Sequence, residues 1–264
     1  MPVQCRGGAR TIACLLAAAW LLIAPAAGLR AHAADVDILT VRDFKPVLLD
    51  LSGPFHAATG DTMEITGDTT DDITARVIRG QEPFDVVILP AAAMDALAAQ
   101  AKVRADSVAW AAKSGVGVVV PNGAPLPDIS TVEAFKRTML AVPSFAYIDP
   151  GSGDATSAWI AQLFDRLGIA ETMRAKAVLV PFGLAAARVD DGEAALALQQ
   201  ISELRVVPGV TFVGPLPNEI QHYVIYALGI PNSSPLPAAT RALLALLRGE
   251  AGVHALHAHG FEPP

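Results

Sequence analysis

The segment PFDVVILP (Pro83 to Pro90) constrains the fold more than any other stretch of the chain. Val86 to Leu89 are apolar without a break and lie between two prolines. A strand with one wet face alternates in polarity. One that reads apolar throughout is covered on both faces, as in a parallel sheet packed between helices. The preceding sequence supplies the rest of such a sheet. DVDILTV (Asp35 to Val41) and DTMEIT (Asp61 to Thr66) read as strands. FKPVLLDLSGPFHAATG reads as a helix, with Val47, Leu48, Leu51 and Phe55 at helical spacing and Gly60 as its stop. ITARVIRG and AAAMDALAAQAKV read as two more helices. The order β-α-β-α-β-α predicts an α/β fold with a parallel sheet and helices on both faces.

The rhythm changes at GVGVVVP (Gly115 to Pro121), and a Pro- and Gly-rich surface excursion follows. A second α/β set then runs from TVEAFKRTML through SFAYIDP, GDATSAWIAQLFDRLGI, AKAVLVP, FGLAAARVDDG and EAALALQQ to VTFVGPLP. QHYVIYALGI (Gln221 to Ile230) is a long apolar strand, and PAATRALLALLRGEAGVHALHAHG supplies terminal helices with no third set of strands to cap. The economical arrangement is two lobes: 34–115 begins the first, 116–220 forms the second, and 221–264 crosses back to finish the first. A cleft between them would face the C-terminal ends of many strands.

Residues 1–33 read as a signal peptide. Arg6 and Arg10 precede the apolar run TIACLLAAAWLLIAPAAG, and AHA (Ala31 to Ala33) is a small-x-small cleavage pattern. Both cysteines, Cys5 and Cys14, fall in this segment. The mature chain is then exported yet free of disulfides, so its stability rests on a hydrophobic core, and a bacterial periplasm suits it. Loss of Arg6, Arg10 and Arg30 lowers Lys plus Arg from 19 to 16 against 26 acids, a net charge of −10. That balance argues against nucleic acid or an anionic membrane as partner. A local anion site built from backbone donors remains compatible with it.

Three strand-to-helix junctions are candidate walls of such a site. AYIDPGSGDATSAW carries Ser152, Gly153 and Asp154 at a helix start. Asp154 suits an N-cap, and the neighbouring N–H groups and positive helix end suit an anion. The segment lacks the lysine and spacing of a Walker loop and holds only half of a dinucleotide fingerprint, so no cofactor is expected. GDTTDDITAR repeats the chemistry with Thr69 and Thr70, where Asp71 or Asp72 can cap the helix. TVRDF places Thr40, Arg42 and Asp43 at the third junction. Arg42 offers a bidentate clamp for a carboxylate, or a surface pair with Asp43. His254, His257 and His259 are poorly spaced for a metal, and none is expected. No nucleophile elbow appears. Proton transfer would need only one or two tuned groups, and Asp43, Asp71, Asp149, Asp154, Glu203, Glu219 and His222 are all eligible, so the sequence alone discriminates poorly among them.

These pieces carry a resemblance. TVRDFKPVLLDLSGPFHAATG, ITARVIRGQEPFDVVILPAAAMDAL, SGVGVVVPNGAPLPDISTVEAFKR, AYIDPGSGDATSAWIAQLFDRLGI, LQQISEL, VGPLPNEIQHYVIYALGI and HGFEP resemble the type II periplasmic solute-binding proteins of the molybdate-binding branch. The resemblance implies a two-lobed periplasmic-binding-protein fold with the ligand between the lobes. It places ligand contacts around Thr40 to Arg42, at Thr69 to Asp71, and at Gly151 to Asp154. A tyrosine completes such sites; its region falls near Gln199 to Ser202, where this chain has Gln200 and no tyrosine. Arg42 and amide side chains suit a larger anion with several carboxylates. The resemblance therefore implies capture of a small oxyanion or a di- or tricarboxylate for an ABC permease, by a monomer not inserted in the membrane. The same branch resembles aconitate isomerase, which implies the alternative: interconversion of trans- and cis-aconitate, with Asp43, Asp154 or His222 moving the proton.

Overall fold

The computed structural model describes residues 34–80, 82–234 and 237–264; the expected signal peptide lies outside them. Among the described residues, nine strands form one continuous sheet. The first strands and helices are β1 (Asp35–Val41), α1 (Lys45–Thr59), β2 (Thr62–Asp68), α2 (Thr70–Arg79), β3 (Val86–Pro90) and α3 (Ala91–Ala99). β4 (Ala109–Pro121) leads out to α4 (Val132–Ala141), β5 (Phe145–Ile148), α5 (Ala155–Arg166), α6 (Ala170–Lys176) and β6 (Ala177–Val180). Then come α7 (Ala185–Asp190), β7 (Ala197–Gln200), the single turn α8 (Ile201–Leu204) and β8 (Val210–Pro215). β9 (Tyr223–Gly229), α9 (Pro237–Arg248) and α10 (Glu250–Ala258) finish the chain.

The strand order is β2-β1-β3-β9-β4-β7-β5-β6, with β8 also paired to β4. β1 is parallel to β2 and β3, and β5 is parallel to β6 and β7. β9 is antiparallel to both β3 and β4. The sheet is therefore mixed where a parallel one was expected. The reason is the crossing: β4 leaves one half of the sheet and β9 runs back into it, so they meet head to tail. β3 is buried along Val86–Leu89, as its unbroken apolar run predicts.

β4 starts six residues before Gly115, and its thirteen residues serve both halves of the sheet. Ala109 to Gly115 pair with β9, while Val116 onward pairs with β7 and β8. One side chain braces the changeover. Gln221 Oε1 accepts from Val116 N at 2.8 Å, and its Nε2 donates to Val116 O at 3.0 Å. The amide adds to backbone pairing there: Val116 N also donates to His222 O at 3.2 Å, and Val116 O also accepts from Leu216 N at 3.0 Å. A Cβ on Gly115 would lie 3.0 Å from that amide; the glycine leaves room for it.

Separate apolar clusters fill the two halves. One joins α1, α2, α3, α9 and α10 to β1, β3 and β9 around Phe44, Leu48, Phe55, Ile88 and Phe261. Two others lie in the second half, around Phe135, Phe145 and Phe164 and around Val119, Ala146 and Val189. α2 is capped by Thr69, whose hydroxyl accepts from Asp72 N at 3.1 Å and donates to the Asp72 carboxylate at 2.6 Å. The cap expected at Asp71 or Asp72 thus sits earlier in the chain: a β-region Thr just before the first turn takes the position, and its own N–H donates to Asp68 Oδ1 at 2.9 Å.

The C-terminal tail locks the crossing. Lys113 and Glu262 exchange backbone hydrogen bonds at 2.9 and 2.8 Å. Gly260 has φ +79°, and a Cβ there would sit 2.8 Å from the backbone of Ile201. Phe261 packs edge-on against Phe44 at 5.0 Å and Tyr226 at 5.1 Å. Phe261 is fully buried, so Phe261→Ala is expected to cost about 3–5 kcal/mol, read as a lower midpoint in urea unfolding.

Candidate functional site

The parallel strands of both halves point their C-terminal ends toward the crossing, and polar side chains gather there. Asp43 follows β1, Ser202 and Glu203 lie on α8, and Gln200 ends β7. Asp43 Oδ2 accepts from Ser202 Oγ at 2.8 Å and from Tyr226 Oη at 3.1 Å. Tyr226 Oη also lies 3.0 Å from the side-chain amide of Gln200. A hydroxyl has one proton to give. The network closes when Gln200 turns its Nε2 toward Tyr226, which then donates to Asp43. Ser202 is fixed in turn: its N–H donates to Ser114 Oγ at 3.2 Å, and Ser114 Oγ donates to Gly260 O at 3.0 Å. Asp43 and Glu203 both keep partial solvent exposure, so a ligand can reach them.

Electrostatics make this cluster unlike the rest of the surface. Burial raises the pKa of Asp43, opposed by the Ser202 and Tyr226 hydrogen bonds. Burial pushes Glu203 well above the usual carboxylate range, and the charges of Asp43 and Asp154 push it further, opposed by a hydrogen bond with Gln199. Tyr226 is likewise raised by burial and by Asp43 and Glu203. Of the two carboxyls, Asp43 receives two hydroxyl protons, which favour its anion. Glu203 has the weaker support and retains its proton more readily.

The other predicted residues fall into three groups. Thr40 is wholly buried near the end of β1, and its hydroxyl has no hydrogen-bond partner. Arg42 is paired with Asp68 at 2.6 Å, not with Asp43, and its side chain is 69% exposed; this pair lowers the pKa of Asp68. Thr69 spends its hydroxyl on the cap and Thr70 begins α2. At the glycine loop, Ser152 and Gly153 are exposed, and Gly153 has φ +90°. Asp154 caps α5 through Ser157 N at 2.6 Å, while Asp149 accepts from Gly151 N at 2.8 Å. His222 stacks on Trp159 at 4.9 Å. Burial and then the nearby Arg166 lower its pKa. His259 is drawn to Asp50 at 2.8 Å, away from any joint site with its histidine neighbours.

Asp43 and Gln200 are thus brought into direct contact through a tyrosine, and Asp154 acts on Glu203 through its charge. Arg42, Thr69 and Asp68 form a separate knot beside them. Sequence reasoning missed Tyr226, Ser202 and Lys45. No tyrosine lies at Gln199 to Ser202, but Tyr226 on β9 brings its phenol to Gln200. Lys45 begins α1, a helix without a side-chain cap, and lies across Gly67, where a Cβ would meet it at 3.1 Å. Arg42 and Lys45 thus flank the start of α1, with Arg42 paired to Asp68 and Lys45 lying over Gly67.

A glutamate raised by burial stabilises the fold below its ordinary pKa and loses that contribution as pH rises through the raised value. Glu203→Gln keeps the neutral shape at every pH. It is expected to unfold about 2–4 °C above the parent at about pH 8, the response of a domain of this size to ~1 kcal/mol. The two melting curves should merge near about pH 4.

Comparison with known proteins agrees with this architecture. A family model described as bacterial extracellular solute-binding protein matches residues 36–262. The chain is 36% identical over 229 residues to an aconitate isomerase from a Pseudomonas species, covering 85% of this chain and 83% of that protein. Among solved structures, the Azotobacter vinelandii periplasmic molybdate-binding protein superposes with a TM-score of 0.65 at 18% identity, over 87% of this chain and 99% of that one. The Desulfovibrio alaskensis tungstate-binding protein gives 0.61 at 13% identity, over 88% and 99%. These structures share the two-lobed α/β type II fold. Among the described residues, no helix is long and apolar enough to cross a membrane. The chain belongs to the bacterial extracellular solute-binding protein family, and is a periplasmic protein of the type II fold.

Proposed function

We propose that this protein binds a di- or tricarboxylate in the cleft and acts on aconitate as an isomerase. The observation that carries this reading is the Asp43 carboxylate, aimed by Ser202 and Tyr226 and faced by a second carboxyl, Glu203. A site that only captures an oxyanion gains nothing from two carboxyls. A site that moves protons on carbon needs a base in a protected setting. The 36% identity to an aconitate isomerase supports the same reading.

In this reading, Asp43 removes a proton from the methylene carbon of bound aconitate. The released electron pair spreads over the three-carbon allyl unit and its carboxylates. Protonation at the far carbon moves the double bond, and the product is the other geometric isomer. Arg42 and Lys45 hold substrate carboxylates. Arg42 is free to do so cheaply: its exposed pair with Asp68 is of a kind that adds little to stability, while a charge-assisted bond to a desolvated ligand is worth about 1.5–3 kcal/mol. Tyr226 and Ser202 hold Asp43 in place, and closure of the lobes would exclude water.

A second reading is capture of the same class of anion for an ABC permease. The family supports it, as does the uncapped start of α1 beside Arg42 and Lys45, which suits a bound anion whether or not it reacts. A thermal-shift series with molybdate, tungstate, sulfate, phosphate, citrate and both aconitates separates the readings from each other and from oxyanion transport. The expected result is stabilisation by aconitate and citrate, with trans- to cis-aconitate conversion seen by ultraviolet absorbance. Stabilisation by molybdate alone would overturn the carboxylate reading; aconitate binding without conversion would leave capture in its place. Asp43→Asn is expected to lower turnover by about 10²–10⁴-fold with aconitate still bound. Arg42→Ala is expected to weaken aconitate by roughly 10–150-fold in titration calorimetry.

A further inference from the structure

We propose that the outer edge of the second lobe holds a separate small-molecule site, which takes an α-amino acid with an apolar side chain. The inference does not depend on what the cleft does with its own ligand.

β5 and β6 end the sheet on the side away from β9. A cavity of about 240 Å³ lies among these two strands, α5 and α6. It is smaller than the pockets that hold drug-sized ligands, so its occupant is small. Phe164 and Met173 give it a buried apolar floor. Leu179 also lines it, yet 48% of this leucine is left in water. A ligand's side chain lying across Leu179 would cover that surface.

The polar groups set this cavity apart from a packing gap. Tyr147 lines it and is only 5% exposed, with its ring against Phe145 at 5.3 Å and Phe164 at 6.1 Å. Among the described residues, its hydroxyl has no hydrogen-bond partner. A phenol buried to this degree ordinarily has one. Burial and the charge of Asp149 raise its pKa, opposed by Arg174, so the group remains a donor at physiological pH. Its missing partner is therefore an acceptor.

Three charged side chains line the same cavity: Asp149, Asp165 and Arg174. Among the described residues, neither Arg174 nor Asp165 is in an ion pair. Asp149 commits Oδ1 to Gly151 N at 2.8 Å and keeps Oδ2 free. The cavity thus offers a cation and two anions that do not neutralise one another. A zwitterion answers both. Its carboxylate accepts from Tyr147 and Arg174, its ammonium donates to Asp149 and Asp165, and its side chain lies on Phe164, Met173 and Leu179. A simple carboxylic acid would face two carboxylates without a counter-charge. A simple amine would leave Tyr147 and Arg174 unanswered.

The test is titration calorimetry with L-leucine, 4-methylpentanoate, which lacks the amine, and 3-methylbutylamine, which lacks the carboxylate. Leucine is expected to bind at least about 10-fold more tightly than either. Arg174→Gln changes an exposed side chain and should weaken leucine by about 10–150-fold. It should leave the amine within about twofold of its parent affinity. Tyr147→Phe keeps the ring in its cluster and removes only the hydroxyl; it should weaken leucine by about 2–10-fold. A parental thermal unfolding curve for Arg174→Gln reports that the variant is folded. No heat with leucine up to about 10 mM would overturn the proposal. So would equal affinity for leucine and either analogue, or parental leucine affinity in Arg174→Gln.

Discussion

A single carboxylate sits where the two lobes meet, and much of the molecule is arranged to hold it. Placing Asp43 among protein atoms is unfavourable unless its oxygens are satisfied. Ser202 and Tyr226 satisfy Oδ2, but each must first be brought there. Ser202 requires β7 to end and α8 to turn beside Ser114, which itself requires the tail to present Gly260 O. Tyr226 requires β9 to return from the second lobe, with its ring held between Phe44 and Phe261. The contacts span 159 and 183 residues of sequence. The polar knot and the crossing of the chain are therefore one construction: the crossing strands bring the partners, and the partners make the buried charge tolerable.

This coupling explains why the lobe junction, not the glycine loop, is the chemically distinctive part of the cleft. The aspartates of that loop serve the backbone. Asp149 closes a tight turn and Asp154 caps a helix. Asp154 still acts at a distance, by making a proton on Glu203 harder to lose. The Arg42–Asp68 pair works at the opposite edge. It keeps a cation near the site without burying it, so the charge is available at little cost.

The sequence revealed most of the fold because most of it is written in local periodicity. The helix faces at Val47, Leu48, Leu51 and Phe55 and the unbroken run of β3 need no knowledge of distant residues. The parts that were not legible depend on partners. The early portion of β4, WAAKS, has neither a clean alternation nor an apolar run, because it borrows its neighbours from β9 and the tail. α8 is one turn long, too short for any periodic signal. The antiparallel entry of β9 follows only from the crossing. Within the site, Asp43 could be nominated from its junction and Gln200 from the resemblance. Tyr226 could not, since the resemblance places its tyrosine after another strand; only the pairing of β9 with β3 brings a phenol to Gln200. Lys45 was hidden for a different reason: a lysine at a helix start reads as solvent decoration until Gly67 is seen to make room for it.

The tail has a consequence for how the chain acquires its structure. The segment from Val116 to Ile220 is contiguous and carries its own apolar clusters, so it can collapse as soon as it is complete. The other lobe is stitched from segments far apart in sequence, with Phe44 and Phe261 meeting in one cluster. Its core stays open on one side until the segment carrying Phe261 arrives. Folding is therefore expected to begin in the contiguous segment, with the Asp43 cluster assembled later through its long-range contacts. A chain lacking Gly260 to Glu262 would keep nearly all of its strands and helices while losing the contacts that hold Ser114, Phe44 and Tyr226 in place.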